Sequence, residues 1–346
     1  MTLFNKYNKD FLKKKLQEES FNRITLSFYR YVSIDDPSTM RDTLYKAFDQ
    51  LKVLGRIYIA NEGINAQVTL PEKNKNAFQT LLNTFDEFKN MRLNTAVEFD
   101  NHSFIKLIVR TKKMIVADYL PEGTYDVSDV GQHLNAEEFN AAMESNSAIV
   151  IDMRNHYESE IGHFTKALKP DADTFRDAIM MATEMVQDKK DSKILLYCTG
   201  GIRCEKASAY FKHKGFSDVN QLHGGIITYA REIKEKNITS KFIGKNFVFD
   251  ERMAEKITDD IISHCHQCDQ PCDRHVNCAN DDCHLLFIQC DECREKMNGC
   301  CTPECKDIAA LPHEEQRKLR KGKVKKDAHA VYNSRIRPKL KGVRSS

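Results

Sequence analysis

The sequence predicts a multidomain protein with an α+β domain, then an α/β domain, then a small cysteine-rich segment that binds metal. Three observations lead to this fold class. Strand and helix signals in about the first 110 residues follow the order β-α-β-β-α-β. Strands and helices then alternate from Asn135 to Lys236, which is typical of a parallel sheet. Ten of the 12 cysteines fall between Cys265 and Cys305. The predicted domains are residues 1–115, 130–240 and 245–310, with a basic tail at 311–346.

The N-terminal domain begins with a lysine-rich helix or arm and continues with four strands and two helices. Runs of β-branched and aromatic residues bounded by turn residues indicate the strands. Helical spacing of apolar residues indicates the helices. Their order suggests a ferredoxin-like or acylphosphatase-like fold. The predicted strands are Ile24–Val32, Arg56–Ala60, Ile64–Leu70 and Phe104–Arg110, and the predicted helices are Pro37–Leu54 and Pro71–Phe88.

A hairpin joins the second and third predicted strands through polar residues. Asn61, Glu62 and Asn65 lie at or beside this turn. They are either ordinary turn residues or contributors to a catalytic site. A basic, then Pro- and Gly-containing connector from Lys112 to Val130 leads to the second domain.

The centre of the second domain is a cysteine loop between a strand and a helix. The apolar run Lys193–Tyr197 predicts a buried strand, and Cys204–Lys214 predicts a helix. Inward-pointing N–H groups of the loop and the helix dipole form an anion site. Arg203 adds a permanent positive charge, so the pKa of the Cys198 thiol is expected to be low, as a nucleophile requires. The alternative is a buried cysteine at a strand end. The loop residues are Cys198, Thr199, Gly200, Gly201, Ile202 and Arg203.

Five residues near this loop have two interpretations each. Asp152 and Arg154 either shape the pocket wall or form a salt bridge at a strand end. His163 and His223 either contact substrate or hold loops together. Cys204, just after the loop, either resolves an oxidised or persulfidated loop cysteine or only packs.

The cysteine-rich segment contains two C-x-x-C knuckles after a predicted helix at Glu251–His264. The knuckle cysteines are the predicted ligands of a structural zinc ion, because each knuckle provides two thiolates on one tight turn. Free thiols or disulfides are the alternative. The predicted ligands are Cys265, Cys268, Cys290 and Cys293. Further candidates for a second site are Cys272, Cys278, Cys283, Cys300, Cys301 and Cys305, with His264, His266, His275 and His284 as spare ligands.

Charge is distributed unevenly along the chain, although the net charge is only +3. Twelve of the 53 Lys and Arg residues lie in Arg317–Ser346, together with one acidic residue, Asp327. Such a tail predicts a polyanionic partner for an otherwise acidic body. No apolar run reaches the length of a membrane helix, and no signal peptide is recognised, so we expect a cytoplasmic protein without membrane contact.

The cysteine loop and its flanks resemble rhodanese-like domains. The similar segments are Ala148–Arg154, Ile161–Ala167, the Cys198 loop and Leu222–Ile226, with Tyr229 where many rhodaneses have Trp. The loop is one residue shorter than that of the related dual-specificity phosphatases, which disfavours a phosphatase. A rhodanese-type sulfurtransferase, with a persulfide on Cys198, is one function that this resemblance implies.

The combination of motifs is similar to the bacterial tRNA uridine(34) hydroxylase family. The motifs are ANEGIN at Ala60–Asn65, YCTGGIRCEKA at Tyr197–Ala207 and the cysteine-rich pattern of Phe247–Cys290. The resemblance implies oxygen-dependent hydroxylation of the wobble uridine to 5-hydroxyuridine, with Cys198 as the active cysteine. Molecular oxygen would then be the co-substrate and the tRNA anticodon loop the partner; no other cofactor and no protein partner is identified. An RNA-binding protein without activity is a third hypothesis.

Overall fold

The computed structural model describes residues 7–98, 100–121, 123–145 and 147–321. Most of the predicted basic tail therefore lies outside the described residues. Within them, the fold confirms the predicted class, with an α+β domain, a parallel-sheet α/β domain and a cysteine-rich segment in that order. In the described part of the chain, no helix is long and apolar enough to cross a membrane.

The N-terminal domain packs two helices against one face of a five-stranded sheet. Strand residues alternate between the two faces, so Ile24, Leu26 and Phe28 are buried in the core while the residues between them face the second domain. The sheet order is β4-β1-β3-β2-β5. The elements are α1 (Lys9–Gln17), β1 (Arg23–Tyr31), α2 (Pro37–Gln50), β2 (Leu54–Ala60), β3 (Gly63–Pro71), α3 (Lys75–Asn83), β4 (Asn94–Thr95) and β5 (Leu107–Thr111).

Two predictions for this domain are wrong in detail. The strand predicted from Phe104 begins at Leu107. It pairs in parallel with β2, whereas the fourth strand of a ferredoxin-like sheet lies at the other edge, beside β1. The unpredicted two-residue strand β4 takes that place beside β1. The second predicted helix is interrupted, because short 3-10 turns at Glu72–Asn74 and Asp86–Phe88 flank α3.

The second domain contains a four-stranded parallel sheet covered by helices on both faces. The sheet order is β6-β10-β9-β7, which places the strand before the cysteine loop in the interior of the sheet. Separate apolar clusters fill the two faces. The elements are β6 (Gln132–Leu134), α4 (Ala136–Ala142), β7 (Ala148–Asp152), α5 (His156–Glu160), β8 (Gly162–Phe164), α6 (Phe175–Met185), β9 (Lys193–Tyr197), α7 (Ile202–His213), β10 (Asp218–Leu222) and α8 (Gly225–Glu235).

The C-terminal segment is joined to the second domain by a small sheet in which β11 pairs with β8 and with β12. A hairpin of β13 and β14 and two helices then surround the cysteines. A further helix follows within the predicted basic tail, so regular secondary structure continues beyond residue 311. The elements are β11 (Phe242–Phe247), β12 (Ala254–Lys256), β13 (His275–Asn277), β14 (Leu286–Ile288), α9 (Asp291–Met297), α10 (Pro303–Ala310) and α11 (His313–Arg320).

The helix predicted at Glu251–His264 does not form. A turn at Glu251 and Arg252 and the short strand β12 replace its first half. The reason is tertiary: Glu255 is fully buried, and its Oε1 accepts the backbone N–H groups of Val97 and Glu98 from the N-terminal domain. These long-range bonds outweigh the helical spacing of the local sequence.

Candidate active site

A cavity of about 320 Å³ lies where the three parts of the chain meet. One wall is the face of β1, β2 and β3 that the helices of the N-terminal domain do not cover. The other walls are the cysteine loop that begins at Cys198 and the segment 248–255. The loop follows β9 at the carboxyl end of a parallel strand, where α/β proteins place their ligands. The cavity volume is near the lower end of the roughly 300–1,000 Å³ of small-molecule sites, so it suits one nucleobase-sized group.

The shape of the cysteine loop depends on glycines. Gly201 has φ +97°, and a Cβ there would lie 2.7 Å from the Oη atom of Tyr29. Gly225 has φ +65°, and a Cβ there would lie 2.5 Å from the carbonyl oxygen of Cys198. Only glycine combines such backbone angles with such close approach. An added Cβ at Gly200, in contrast, would meet nothing within 4 Å, so the cavity is open beside the cysteine.

Cys198 is buried and its sulfur is surrounded by donors. The backbone N–H of Gly201 donates to Sγ at 3.2 Å. Burial raises the pKa of this thiol, but the Cys204 thiol, the Arg203 charge and the backbone N–H groups of Arg203 and Cys204 outweigh it and lower the pKa to about 6. A thiol with a lowered pKa is largely ionised at neutral pH, and the thiolate is the form in which a cysteine can act as a nucleophile.

Cys204, on the first turn of α7, is the second thiol of the site, and its pKa is shifted in the opposite direction. Burial and the hydrogen bond to Cys198 raise the pKa of Cys204 well above its usual value. Cys204 therefore stays protonated and donates its S–H to the neighbouring thiolate.

Glu158 holds Arg203 in place, and the sequence analysis missed it. Its Oε1 and Oε2 accept from the two terminal guanidinium nitrogens at 2.6 and 2.9 Å, and it is fully buried. Thr199 Oγ1 lies 3.3 Å from both Glu158 Oε2 and the guanidinium. The available sequence signal was the N-x-x-E spacing of Asn155 and Glu158 at the start of α5, where the Asn155 N–H donates to Glu158 Oε1 at 3.0 Å. Because bidentate pairing fixes the plane of a guanidinium, Glu158 orients the Arg203 charge toward the loop.

Side chains of the N-terminal sheet dock directly on the loop. Tyr29 donates from Oη to Glu205 at 2.8 Å, and Tyr31 Oη donates to the Ile202 carbonyl at 3.3 Å. Lys206 is buried and pairs with Glu62 at 3.0 Å. These contacts hold the sheet against the cysteine loop and define the cavity between them.

Asp152 and Arg154 form the salt bridge at a strand end, one of the two interpretations of the sequence. Their closest contact is 2.6 Å, both are buried, and Tyr197 Oη donates to Asp152 at 2.7 Å. His163 Nδ1 lies 3.0 Å from the Ser159 carbonyl, and His223 contacts Arg92. Neither histidine lines the cavity, so both hold loops.

The three polar residues of the predicted hairpin have different positions. Asn61 Nδ2 donates to the Ile34 carbonyl, and Glu62 accepts from the Ile115 N–H. Both stabilise the turn and its neighbours. Asn65 lines the cavity while its Nδ2 donates to the Ile115 carbonyl at 3.2 Å.

The cysteines of the C-terminal segment form two groups, and in each group four sulfur atoms lie within 4.8 Å of one another. The first group contains the four predicted knuckle cysteines. Cys268 and Cys290 Sγ are 3.5 Å apart there, and Cys283 and Cys301 Sγ are 3.6 Å apart in the second group. Either group could hold a metal ion. Cys272, Cys300 and the four histidines considered as spare ligands belong to neither. The groups are Cys265, Cys268, Cys290 and Cys293, and Cys278, Cys283, Cys301 and Cys305.

Comparison with curated proteins gives the family. A tRNA uridine(34) hydroxylase from Leptospira interrogans is 54% identical over 98% of this chain and 92% of its own length. The enzyme of the same name from Enterobacter sp. is 52% identical over 96% of this chain and 95% of its own. The chain belongs to the tRNA uridine(34) hydroxylase family. Family models match an acylphosphatase-like domain of the UPF0176 type at 23–115, a rhodanese-like domain at 135–232 and a rhodanase C-terminal region at 243–306.

Among solved structures, the rhodanese-like domain of an Anabaena sp. protein is 19% identical and has a TM-score of 0.26. It covers 32% of this chain and 78% of its own. The hydroxylase family, and not this distant likeness, identifies the protein.

Proposed function

We propose that this protein hydroxylates carbon 5 of uridine 34 in tRNA with dioxygen, and that Cys198 is the active-site thiolate. The observation that carries the proposal is the position of Cys198, a thiol with its pKa lowered to about 6, in the wall of a nucleobase-sized cavity. The hydroxylase relatives at 54% and 52% identity support the same reaction.

The thiolate explains how an unreactive carbon becomes a nucleophile. Sulfur adds to carbon 6 of the uracil ring, and the electron pair of the 5,6 double bond moves to carbon 5 and the O4 enolate. Carbon 5 then forms its bond to oxygen, after which loss of its proton expels the Cys198 thiolate and restores the double bond. Dioxygen delivers one oxygen atom to carbon 5 and the other to water, and external thiols, which become a disulfide, supply the two electrons and two protons.

The residues around Cys198 have separate roles in this proposal. The Gly201 N–H and the Arg203 guanidinium stabilise the thiolate before attack and when it is expelled. We assign Cys204 as a resolving thiol. When a peroxide oxidises Cys198 to a sulfenic acid, the Cys204 sulfur attacks the Cys198 sulfur. An S–S bond forms, the S–O bond breaks, and its oxygen leaves as water with the proton of the Cys204 thiol. An external thiol then reduces the disulfide.

Each group of four cysteines fits a structural zinc ion. Zinc–sulfur bonds near 2.3 Å in a tetrahedron separate the sulfurs by about 3.8 Å. The Sγ–Sγ distances of 3.5, 3.6 and 3.7 Å within the two groups are close to this value. Bound zinc would link segments that share little apolar core, since both surrounding clusters are small and the one around the second group consists largely of cysteines.

The substrate is a polyanion, which agrees with the charge distribution of the chain. The twelve basic residues of the last thirty would contact tRNA phosphates, and most of them lie outside the described residues. The anticodon loop is single-stranded, so its base can leave the stack and enter a pocket. Because the proposed substrate is tRNA, we infer a cytoplasmic location.

The decisive experiment is the reconstitution of the purified protein with tRNA that lacks the modification. We expect 5-hydroxyuridine at position 34, measured by mass spectrometry of the nucleosides, in the presence of air and a thiol reductant. Anaerobic samples are the control. Formation of thiocyanate from thiosulfate and cyanide, without any 5-hydroxyuridine, would contradict the proposal and favour the sulfurtransferase.

A further inference from the structure

The open face of the N-terminal sheet carries two rows of polar residues that no part of the mechanism above uses. Residues directly opposite on paired strands have side chains on the same face. By the strand register, Ser27 lies opposite Gln67, and Gln67 lies opposite Arg56. Two positions along, Tyr29 lies opposite Asn65, and Asn65 lies opposite Tyr58. All six residues line the cavity that contains Cys198.

The row of Tyr29, Asn65 and Tyr58 is occupied by contacts within the protein. Tyr29 donates to Glu205 at 2.8 Å, and Asn65 donates to the Ile115 carbonyl at 3.2 Å. The Lys112 ammonium lies over the Tyr58 ring at 5.4 Å from its centroid. This row therefore fixes the position of the sheet against the second domain.

The row of Ser27, Gln67 and Arg56 is different, because most of its hydrogen-bonding capacity is unused. Ser27 Oγ is buried and has no hydrogen-bond partner among the residues that the structure describes. The same part of the chain offers no hydrogen bond to the Gln67 amide. One N–H of Arg56 donates to the Phe249 carbonyl at 3.0 Å. A buried hydroxyl without a partner costs free energy, so a polar ligand that satisfies it gains affinity.

The order of groups in this row matches one nucleobase edge. The imide edge of uracil presents an acceptor, a donor and an acceptor, which are O2, N3–H and O4. A hydroxyl, an amide oxygen and a guanidinium in sequence present a donor, an acceptor and a donor. Neighbouring strands lie about 4.8 Å apart, and the side chains of Gln67 and Arg56 are long enough to converge on one ring.

We propose that Ser27, Gln67 and Arg56 read the imide edge of the target uracil. Ser27 Oγ donates to O2, Gln67 Oε1 accepts from N3–H and Arg56 donates to O4. In the uracil ring N3 lies opposite carbon 6, so a base held by this row presents carbon 6 to the cysteine loop on another wall. Arg56 also faces the oxygen on which charge develops when the thiolate adds.

This inference rests on the proposed function and gives a physical reason why the site selects uridine over cytidine. Cytosine carries an amino group in place of O4 and an acceptor at N3. Arg56 can only donate, so it meets a second donor there. The site therefore distinguishes uridine from cytidine by a mismatch of hydrogen bonds, a mechanism that discriminates better than shape alone.

The test compares Gln67→Met with Thr69→Val. Thr69 lies on the same strand, and its buried hydroxyl also lacks a partner within the described ranges, but it is outside the cavity. We expect Gln67→Met to lower kcat/KM for 5-hydroxyuridine formation by about tenfold or more, because it loses a hydrogen bond and leaves N3–H unpaired. Thr69→Val should stay within about twofold of the natural protein. Equal activity of Gln67→Met and Thr69→Val would overturn the inference.

A binding measurement separates this inference from the proposed reaction. Anticodon stem-loop RNAs with uridine or cytidine at position 34 are titrated with each protein by fluorescence anisotropy. We expect the natural protein and Thr69→Val to prefer uridine, and Gln67→Met and Ser27→Ala to lose the preference. An unchanged preference in both variants, with unchanged melting temperatures, would contradict base reading by this row. Failure of the natural protein to form 5-hydroxyuridine would instead contradict the proposed function alone.

Discussion

Two regions of this chain gather cysteines, and they surround sulfur in opposite ways. At the loop, a single thiolate-forming sulfur, that of Cys198, receives N–H groups and lies near a guanidinium. In the C-terminal segment, four sulfurs approach one another in each of two groups, with contacts of 3.5 to 3.7 Å. A thiolate stabilised by donors is a nucleophile, whereas four thiolates facing one point require a cation between them. The surroundings of the thiol, and not the residue type, determine its chemistry.

The largest effect is expected at the loop. Cys198→Ser should abolish 5-hydroxyuridine formation, by more than about a thousandfold, because a serine hydroxyl is not ionised at neutral pH. The serine oxygen can still accept the Gly201 N–H, so the melting temperature should stay close to that of the natural protein. Nucleoside mass spectrometry measures the first effect and calorimetry the second. Wild-type turnover by Cys198→Ser would show that the nucleophile is another group.

The next prediction concerns metal in the C-terminal segment. The natural protein, purified under reducing conditions without chelator, should contain one zinc ion for each group of four cysteines, or two per chain. Cys293→Ser and Cys305→Ser should each reduce the content to about one ion. Cys272→Ser is the matched control and should keep both, because its thiol belongs to neither group. Elemental analysis measures the zinc content per chain. A metal-free natural protein would show that the C-terminal cysteines do not form metal sites, and the contrast with the Cys198 loop would be lost.

Arg203→Ala should weaken the loop thiolate without removing it. The natural thiol should react with iodoacetamide with a midpoint near its pKa of about 6, since the thiolate reacts and predominates above that pH. Loss of the guanidinium should raise the apparent pKa by about one unit or more, so reactivity below pH 7 falls.

Arg203→Lys is the control for this prediction, because it keeps a positive charge but not the bidentate pair with Glu158. Its midpoint should lie between those of the other two proteins. Arg203→Ala should also be less stable by about 3 kcal/mol, because Glu158 would remain buried without its partner. An unchanged midpoint in Arg203→Ala would show that the backbone N–H groups alone stabilise the thiolate.

The smallest effect is expected for Cys204→Ser. The serine hydroxyl can still donate to Cys198, so the pKa of the loop thiol and the rate of the first turnover should change by less than about threefold. Under mild peroxide, the natural protein should form a disulfide between Cys198 and Cys204, detected as linked tryptic peptides. Cys204→Ser should accumulate a sulfenic acid that dimedone traps. Sulfenic acid in the natural protein and no linked peptide would leave Cys204 with a packing role only.

Local sequence was sufficient for the loop but not for what surrounds it. The glycines, Cys198 and Arg203 are adjacent in sequence, so the strand, turn and helix start could be recognised together. Glu158 is 45 residues away from Arg203, and only the fold brings the two together. The cavity residues Ser27 and Gln67 belong to strands whose alternation was visible, but alternation does not reveal what covers the polar face.

The wrong helix at Glu251–His264 and the unpredicted strand β4 have the same cause. Helical spacing is a local signal, whereas the burial of Glu255 depends on N–H groups of Val97 and Glu98, more than 150 residues earlier. The two-residue strand β4 is too short to produce any periodic pattern. Both depend on contacts distant in sequence, between domains for Glu255 and with β1 of the same sheet for β4, and one sequence does not display such contacts.

The division of the cavity among three parts of the chain has a consequence for synthesis. The ribosome completes the N-terminal wall first, then the loop with Cys198, and only later the wall at Val248–Glu255. A nascent chain that has just folded its second domain therefore carries the reactive thiol in an unfinished enclosure. Proteolytic fragments that end before residue 248 would lack the same wall, so their Cys198 loop would lie beside an incomplete pocket.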